Sequence, residues 1–214
     1  MSGAVLACLR DLAGPDIAVG LSDVGPEDGL IAPEPEFIAK AIPKRQAEFA
    51  AGRRAARMAL GPLGHANTAI PQGKDRAPIW PEGLVGSLSH DAGLAVACVA
   101  PSDTLIGLGI DLAEAADFPT HLRCEILRTP SEEQQSGLEA RLNFSAKEAV
   151  FKAFYPSVGK YFGFAAVEVI PDMQAERFTV TLRQPLGATP EGAQFEGRFA
   201  ITEGRLITLF AIAA

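Results

Sequence analysis

The chain has 214 residues, 48% hydrophobic and 21% charged, enough to bury a real core in one large domain or in two of about 100 residues each. Nineteen Lys and Arg against 26 Asp and Glu leave a formal charge of -7, the wrong sign for a protein that coats nucleic acid or an anionic membrane. Cys8, Cys98 and Cys124 have no paired spacing, which suggests neither a disulfide framework nor a zinc cluster, and each is expected to be a small buried hydrophobe in a reducing compartment.

The opening segment, Met1 to Asp11, lacks the basic start of a signal peptide. The longest apolar uncharged runs, Ala92 to Ser102 and Leu206 to Ala214, fall short of the ~20 residues that span a bilayer. A cytoplasmic protein without a membrane span is expected. Between Lys40 and Arg57 six basic residues (Lys40, Lys44, Arg45, Arg53, Arg54, Arg57) face one acid, Glu48, so this acidic chain keeps one cationic segment suited to an anion. The segment reads as a helix: Pro43 fits the first turn, and Gly61-Pro62 stops it after Leu60. At about 100° per residue, Phe49, Ala56 and Leu60 share an apolar stripe with Arg45 and Arg53 on its borders, while Arg54 and Arg57 point toward solvent. The stems of Arg45 and Arg53 then lie on apolar surface with their guanidinium groups free to fork onto a phosphate.

After the loop Lys74-Asp75-Arg76, strand patterns run over Leu84 to Ser89, Leu94 to Ala100 and Thr104 to Leu112, and their short connections suggest an antiparallel meander. Thr129-Pro130-Ser131-Glu132 has the pattern of a capping box, and Ser136-Gly137-Leu138-Glu139 repeats it before a longer helix ending at Pro156. Strand patterns follow at Phe164 to Ile170, Arg177 to Arg183, Phe195 to Thr202 and Leu206 to Ile212. Helices and antiparallel strands in each part predict an α+β fold, conceived as two packed halves, 1–106 and 107–214.

Asp111 ends the apolar run from Leu105 to Ile110. It is either a strand-ending surface acid or a carboxylate displayed on a rigid support for a hard cation such as magnesium. In the helix before Tyr155, Phe144, Val150, Phe151, Phe154 and Tyr155 form an apolar arc. Glu148 and Lys152 stand at its edge as i,i+4 neighbours, which is a surface ion pair or a partly desolvated functional pair. Lys147 falls inside the arc and must snorkel or meet an anion. His90 closes the strand of Ser87-Leu88-Ser89.

In this order the residues resemble the 4'-phosphopantetheinyl transferases, in the larger monomeric group that serves siderophore, nonribosomal peptide and polyketide synthases. The matching motifs are Arg45-Gln46-Ala47-Glu48-Phe49 with Gly52-Arg53-Arg54, Gly86-Ser87-Leu88-Ser89-His90, Gly109-Ile110-Asp111, and Phe144-Ser145-Ala146-Lys147-Glu148-Ala149-Val150-Phe151-Lys152-Ala153. The resemblance implies two similar α+β halves with the active site at their junction. It implies transfer of the phosphopantetheine arm of coenzyme A to a serine of an apo acyl or peptidyl carrier protein, with release of adenosine 3',5'-bisphosphate. Asp111 and Glu148 would hold Mg²⁺, Glu148 would also take the serine proton, and Lys152 would stabilise the leaving group. Arg45 and Arg53, with Lys74 or Arg76, would hold the phosphates of coenzyme A; Ser89 and His90, with Asp111 and Lys152, would complete its site. In the family a Glu usually stands two residues beyond the Asp of Gly-Ile-Asp. Here that residue is Ala113, and Glu114 falls on the other face of a regular strand. Ala113 motivates one alternative, a relative that binds coenzyme A or a carrier without transfer; a Mg²⁺-dependent phosphohydrolase is the other.

Overall fold

The computed structural model describes residues 2–26 and 28–214, so Met1, in the opening segment read above, lies outside the described residues. Helix α1 (Ser2–Ala13) and strand β1 (Ala18–Asp23) come first, neither marked by a sequence motif. They are followed by α2 (Glu34–Ile38), α3 (Pro43–Leu60), β2 (Leu84–Asp91) and β3 (Leu94–Pro101). The second part holds β4 (Leu105–Glu114), α4 (Arg123–Ile126), α5 (Pro130–Glu133), α6 (Gly137–Val158), β5 (Val167–Asp172), β6 (Arg177–Leu182), β7 (Gln194–Thr202) and β8 (Arg205–Ala213). The strands form two antiparallel sheets, β1-β3-β2 and β4-β8-β7-β6-β5. In each sheet the first strand pairs with the last strand of its own part. The fold is α+β, and its two sheets make two similar halves. No helix among the described residues is long and apolar enough to cross a membrane.

Several local expectations are corrected. The meander breaks after β3: β4 crosses to the other sheet and pairs with β8, while β1 takes the free edge of β3. Both β3 and β4 are buried on both faces, so neither carries an alternation that names its partner. Phe164 to Ala166 form a single turn, and β5 starts only at Val167. Helix α6 continues past Pro156 and ends at Gly159, whose φ of 66° supplies the left-handed cap. Ser136 makes no side-chain cap. Of the cysteines only Cys98 is buried; Cys124 is exposed.

The core has three principal parts. Helix α3 lays Ala51, Ala55 and Leu60 on Ala97 and Val99 of β3, and α6 lays Leu142, Val150 and Phe154 on Phe178, Phe199 and Phe210 of the second sheet. Between the sheets, Val96 and Cys98 meet Ile110 and Leu209, with Val5 and Leu9 of α1 packed beside them. Both helices approach their sheets at a glycine. A Cβ on Gly20 would lie 2.0 Å from the Ala55 carbonyl oxygen, and one on Gly109 would lie 1.8 Å from that of Ala149.

Each half is also pinned by a buried carboxylate. Glu34, fully buried, accepts N–H bonds from Ile31 at 2.9 Å and Ile70 at 2.7 Å and pairs with Arg57 at 2.7 Å. Glu132, equally buried, accepts from Thr129 at 3.2 Å and Val169 at 2.8 Å and pairs with Lys147 at 2.7 Å. Arg57, expected toward solvent, is therefore buried, and Arg54 binds the Asp28 carboxylate at 2.6 Å. Lys147 has met its anion. Removing one member of such a pair strands the other charge, so Lys147→Met is expected to lower unfolding stability by about 3–5 kcal/mol. Arg177→Met, in the exposed pair with Glu196, should change it by less than about 1 kcal/mol; denaturant titration of both checks this.

Candidate active site

The two halves meet where β2 runs beside β4, and two serines of β2 bond across to β4. Ser87 Oγ accepts the Ile110 N–H at 3.1 Å, and Ser89 Oγ donates to Asp111 Oδ1 at 2.8 Å. Because side chains alternate along β4, Asp111 shares a face with Gly109, and Gly109 lies against α6. The carboxylate is therefore aimed at that helix and is 7% exposed. Lys152 of α6 donates to the same Oδ1 at 2.7 Å and to the Ile110 carbonyl at 2.9 Å. Ser145, Glu148 and Lys152 are spaced i, i+3 and i+7, one face of the helix. Burial pushes the Glu148 carboxyl above its ordinary range; Lys152 opposes this and Asp111 adds to it. Lys147, one residue earlier, turns away to Glu132.

On the first half, Arg45 stands exposed in the first turn of α3 with Nη1 2.6 Å from His90 Nε2. Glu48 lies 3.6 Å from Arg45 and 3.8 Å from His90. Burial pulls the His90 imidazole below its ordinary value, with Glu48 opposing and Arg45 and Lys152 reinforcing. Arg53 differs from expectation. It is 3% exposed, its Nε donates to the Ile70 carbonyl at 2.7 Å, and its guanidinium lies 4.1 Å over the Phe49 ring. It is thus not a free fork, since Nε and one face are taken, and burial pulls it down to about 10, which still leaves a cation at neutral pH.

Between the loop at 73–78 and the C-terminal part of α6 lies a cleft of about 540 Å³, bordered by Arg76, Trp80, Ser87, Phe151, Lys152 and Tyr161. A smaller pocket of about 170 Å³ shares Phe151 and Tyr161 with it and reaches Glu148. Arg76, at φ 70°, borders the cleft; Lys74 is exposed on the same loop and is not among its lining residues. Ser89, His90, Asp111, Glu148, Lys152 and Arg45 are brought together at the seam from residues spread over the chain. Among the described residues no cluster of three or more His, Cys, Asp or Glu is present. Glu114 is exposed, and β4 runs regularly from Gly107 to Glu114 against β8.

A family model described as the 4'-phosphopantetheinyl transferase N-terminal domain matches residues 33–100, and one for the 4'-phosphopantetheinyl transferase superfamily matches residues 107–202. The chain is 39% identical over 196 residues to 4'-phosphopantetheinyl transferase Svp of Streptomyces mobaraensis, covering 86% of this chain and 79% of that protein. It is 35% identical over 204 residues to 4'-phosphopantetheinyl transferase Npt of Nocardia iowensis, covering 88% and 92%. Enterobactin synthase component D of Salmonella typhimurium is 38% identical over 135 residues, covering 59% and 56%.

The chain belongs to the 4'-phosphopantetheinyl transferase superfamily.

Four residues of this transferase that the sequence did not single out are placed by the fold at the seam or its cleft. Ser87 and Ser145 lie inside matching motifs but carry no signal of their own. Trp80 lines the cleft without a motif, and Thr208 enters only because it faces Asp111 across the β4–β8 ladder.

For His90, folding lowers the imidazole pKa, so the unfolded chain takes up a proton first as pH falls. The stability due to neutral His90 is full above the unfolded value near 6.5 and declines as pH drops through it. His90→Gln is therefore expected to flatten the stability-pH curve between about pH 7 and 5. Parallel denaturant titrations check this, and an unchanged slope contradicts it.

Proposed function

We propose that this transferase moves the 4'-phosphopantetheine arm of coenzyme A to a serine of an apo acyl or peptidyl carrier protein, releasing adenosine 3',5'-bisphosphate. The observation that carries the reading is the seam itself. Ser89 from one half and Lys152 from the other converge on Asp111, with Glu148 electrostatically coupled to both Asp111 and Lys152 beside a cleft large enough for an extended ligand. The two halves, 1–106 and 107–214, then divide the work between holding the nucleotide end and performing the transfer.

Arg45 and His90, already paired at 2.6 Å, bind phosphate oxygens of coenzyme A. Arg53, about two turns along α3 from Arg45, would offer its remaining guanidinium N–H groups to the 3'-phosphate, an anion that relieves a buried guanidinium. Arg76 and Lys74, on the loop beside the cleft, add cationic charge at the nucleotide end. A carboxyl held above its ordinary pKa by burial is a better proton acceptor, and Glu148 takes the proton of the carrier serine. The serine oxygen then bonds to the phosphorus that bears pantetheine as the pyrophosphate P–O bond breaks. Lys152, on the cleft wall, meets the negative charge that develops on the departing adenosine bisphosphate.

Asp111 and Glu148 are hard oxygen donors within electrostatic reach of each other, and their like charge is part of what raises the Glu148 carboxyl. That donor set fits Mg²⁺, which binds through one or two carboxylates and fills its other positions with water and substrate phosphate. Ala113, buried in register opposite Leu206, contributes no ligand. When bound, the ion would neutralise phosphate charge.

The test is to incubate the protein with coenzyme A, Mg²⁺ and apo carrier protein and to weigh the carrier. The expected gain is one phosphopantetheine group. Bound coenzyme A with an unchanged carrier, the outcome that Ala113 motivates, contradicts transfer, and so does carrier-independent hydrolysis. Glu148→Gln should lower the rate by roughly 10²-fold or more.

A further inference from the structure

Asp111 is held by more than the residues assigned to the reaction. A carboxylate offers about four acceptor positions, two on each oxygen. Oδ1 takes two donors, the Ser89 hydroxyl at 2.8 Å and the Lys152 ammonium at 2.7 Å. Oδ2 takes one, the Ser145 hydroxyl at 2.9 Å. Ser145 Oγ is in turn 3.0 Å from Thr208 Oγ1, and the Thr208 hydroxyl donates to the Ser145 carbonyl at 3.1 Å. Since the Ser145 proton goes to Asp111, only Thr208 can donate in the contact between the two hydroxyls, and its one proton is shared between Ser145 Oγ and the Ser145 carbonyl. The chain of bonds runs one way, from Thr208 to Ser145 to Asp111.

These hydroxyls stand where packing calls for apolar groups. Ser145 and Thr208 are both fully buried. Their neighbours on α6 and β8 are Ala146, Ala149, Leu206 and Phe210, all in the core. A hydroxyl withdrawn from water is tolerated there only if bonded, and Val has the same shape as Thr without that penalty. Thr208 also sits directly across the β4–β8 ladder from Asp111. A carboxylate on a short side chain is otherwise free to rotate about χ2, whose preference is broad. The Ser145 bond on Oδ2 completes the hold that Ser89 and Lys152 begin on Oδ1, and by count it leaves one acceptor position on Oδ2.

We propose that Ser145 and Thr208 are positioning residues, which orient the Asp111 carboxylate so that the open acceptor position on Oδ2 faces the reacting phosphates and their cation. The proposal rests on the transfer reading above and adds two residues to it. It also accounts for how the site keeps a fixed carboxylate although Ala113 supplies none beside it.

The discriminating variants are Thr208→Val, which keeps shape and loses the hydroxyl, and Thr208→Ser, which keeps the hydroxyl and loses a methyl group. Three quantities are read for each: kcat and KM for coenzyme A in carrier modification, the melting temperature, and the Mn²⁺ concentration that gives half of the metal-induced shift in melting temperature without coenzyme A. Thr208→Val is expected to lower kcat and to raise the half-effective Mn²⁺ concentration, each roughly 10-fold, with KM for coenzyme A within about twofold and no loss of melting temperature. Thr208→Ser is expected to match the parent protein in kcat and Mn²⁺ response. A packing role reverses the order, leaving Val like the parent and Ser impaired, and that result overturns the proposal. Ser145→Ala is the second probe: loss of Mn²⁺ response in a protein that still melts cooperatively supports the proposal, and an unchanged response overturns it. If the parent protein modifies no carrier, the transfer reading fails instead, which the parent assay shows by itself.

Discussion

A carboxylate removed from water must be given donors on every side, and that requirement organises this molecule. Glu34 and Glu132 meet it in the same way. Each accepts the N–H three residues before it, each accepts an N–H from a neighbouring extended segment, and each pairs with a cation on the long helix of its half. The likeness extends to the carbonyl of that extended segment. Ile70 O takes Arg53 Nε, four residues before Arg57, and Val169 O takes Asn143 Nδ2, four residues before Lys147. The two halves therefore repeat a bonding pattern although their sequences show no evident repeat.

The second clamp has a functional consequence, because Lys147 and Glu148 are adjacent on α6. With the Lys147 ammonium bound to Glu132 and to the Ile126 carbonyl at 2.7 Å, the rotation of the helix is set. The face bearing Ser145, Glu148 and Lys152 is then presented to β4. Asp111, the third buried carboxylate among the described residues, receives its donors from both halves. In this account the site exists only where the halves meet, and the ion pair at Lys147 sets which face of α6 meets β4.

Long elements were legible in the sequence for identifiable reasons. Pro43 and Gly61-Pro62 bracket α3, and Glu132 in its capping-box pattern marks the turn before α6. The strands of the second sheet lie within a few residues of their apolar patterns because turn residues such as Glu203-Gly204 separate them. What was not legible depends on partners far along the chain. Arg57 was assigned to solvent from its angle on α3, and only Glu34, arriving from α2, buries it. The crossing of β4 to the second sheet is decided by β8, which no local pattern announces. Asp111, Glu148 and Lys152 stood out by type and spacing, each with a structural reading left open until the family motifs assigned them roles. Thr208 did not, since an isolated Thr in an apolar strand has no meaning until the ladder places it opposite Asp111.

The central claim is that Asp111 and Glu148, brought together at the seam, form the metal-binding heart of a transfer site spanning both halves. A crystal structure with coenzyme A and Mn²⁺, with the metal located by its anomalous scattering, tests it most directly. The account predicts one peak bonded to both carboxylates and to a pyrophosphate oxygen, with Arg45 and His90 on the phosphates. A metal held by other residues, such as Glu114, or coenzyme A bound away from the seam, would contradict it.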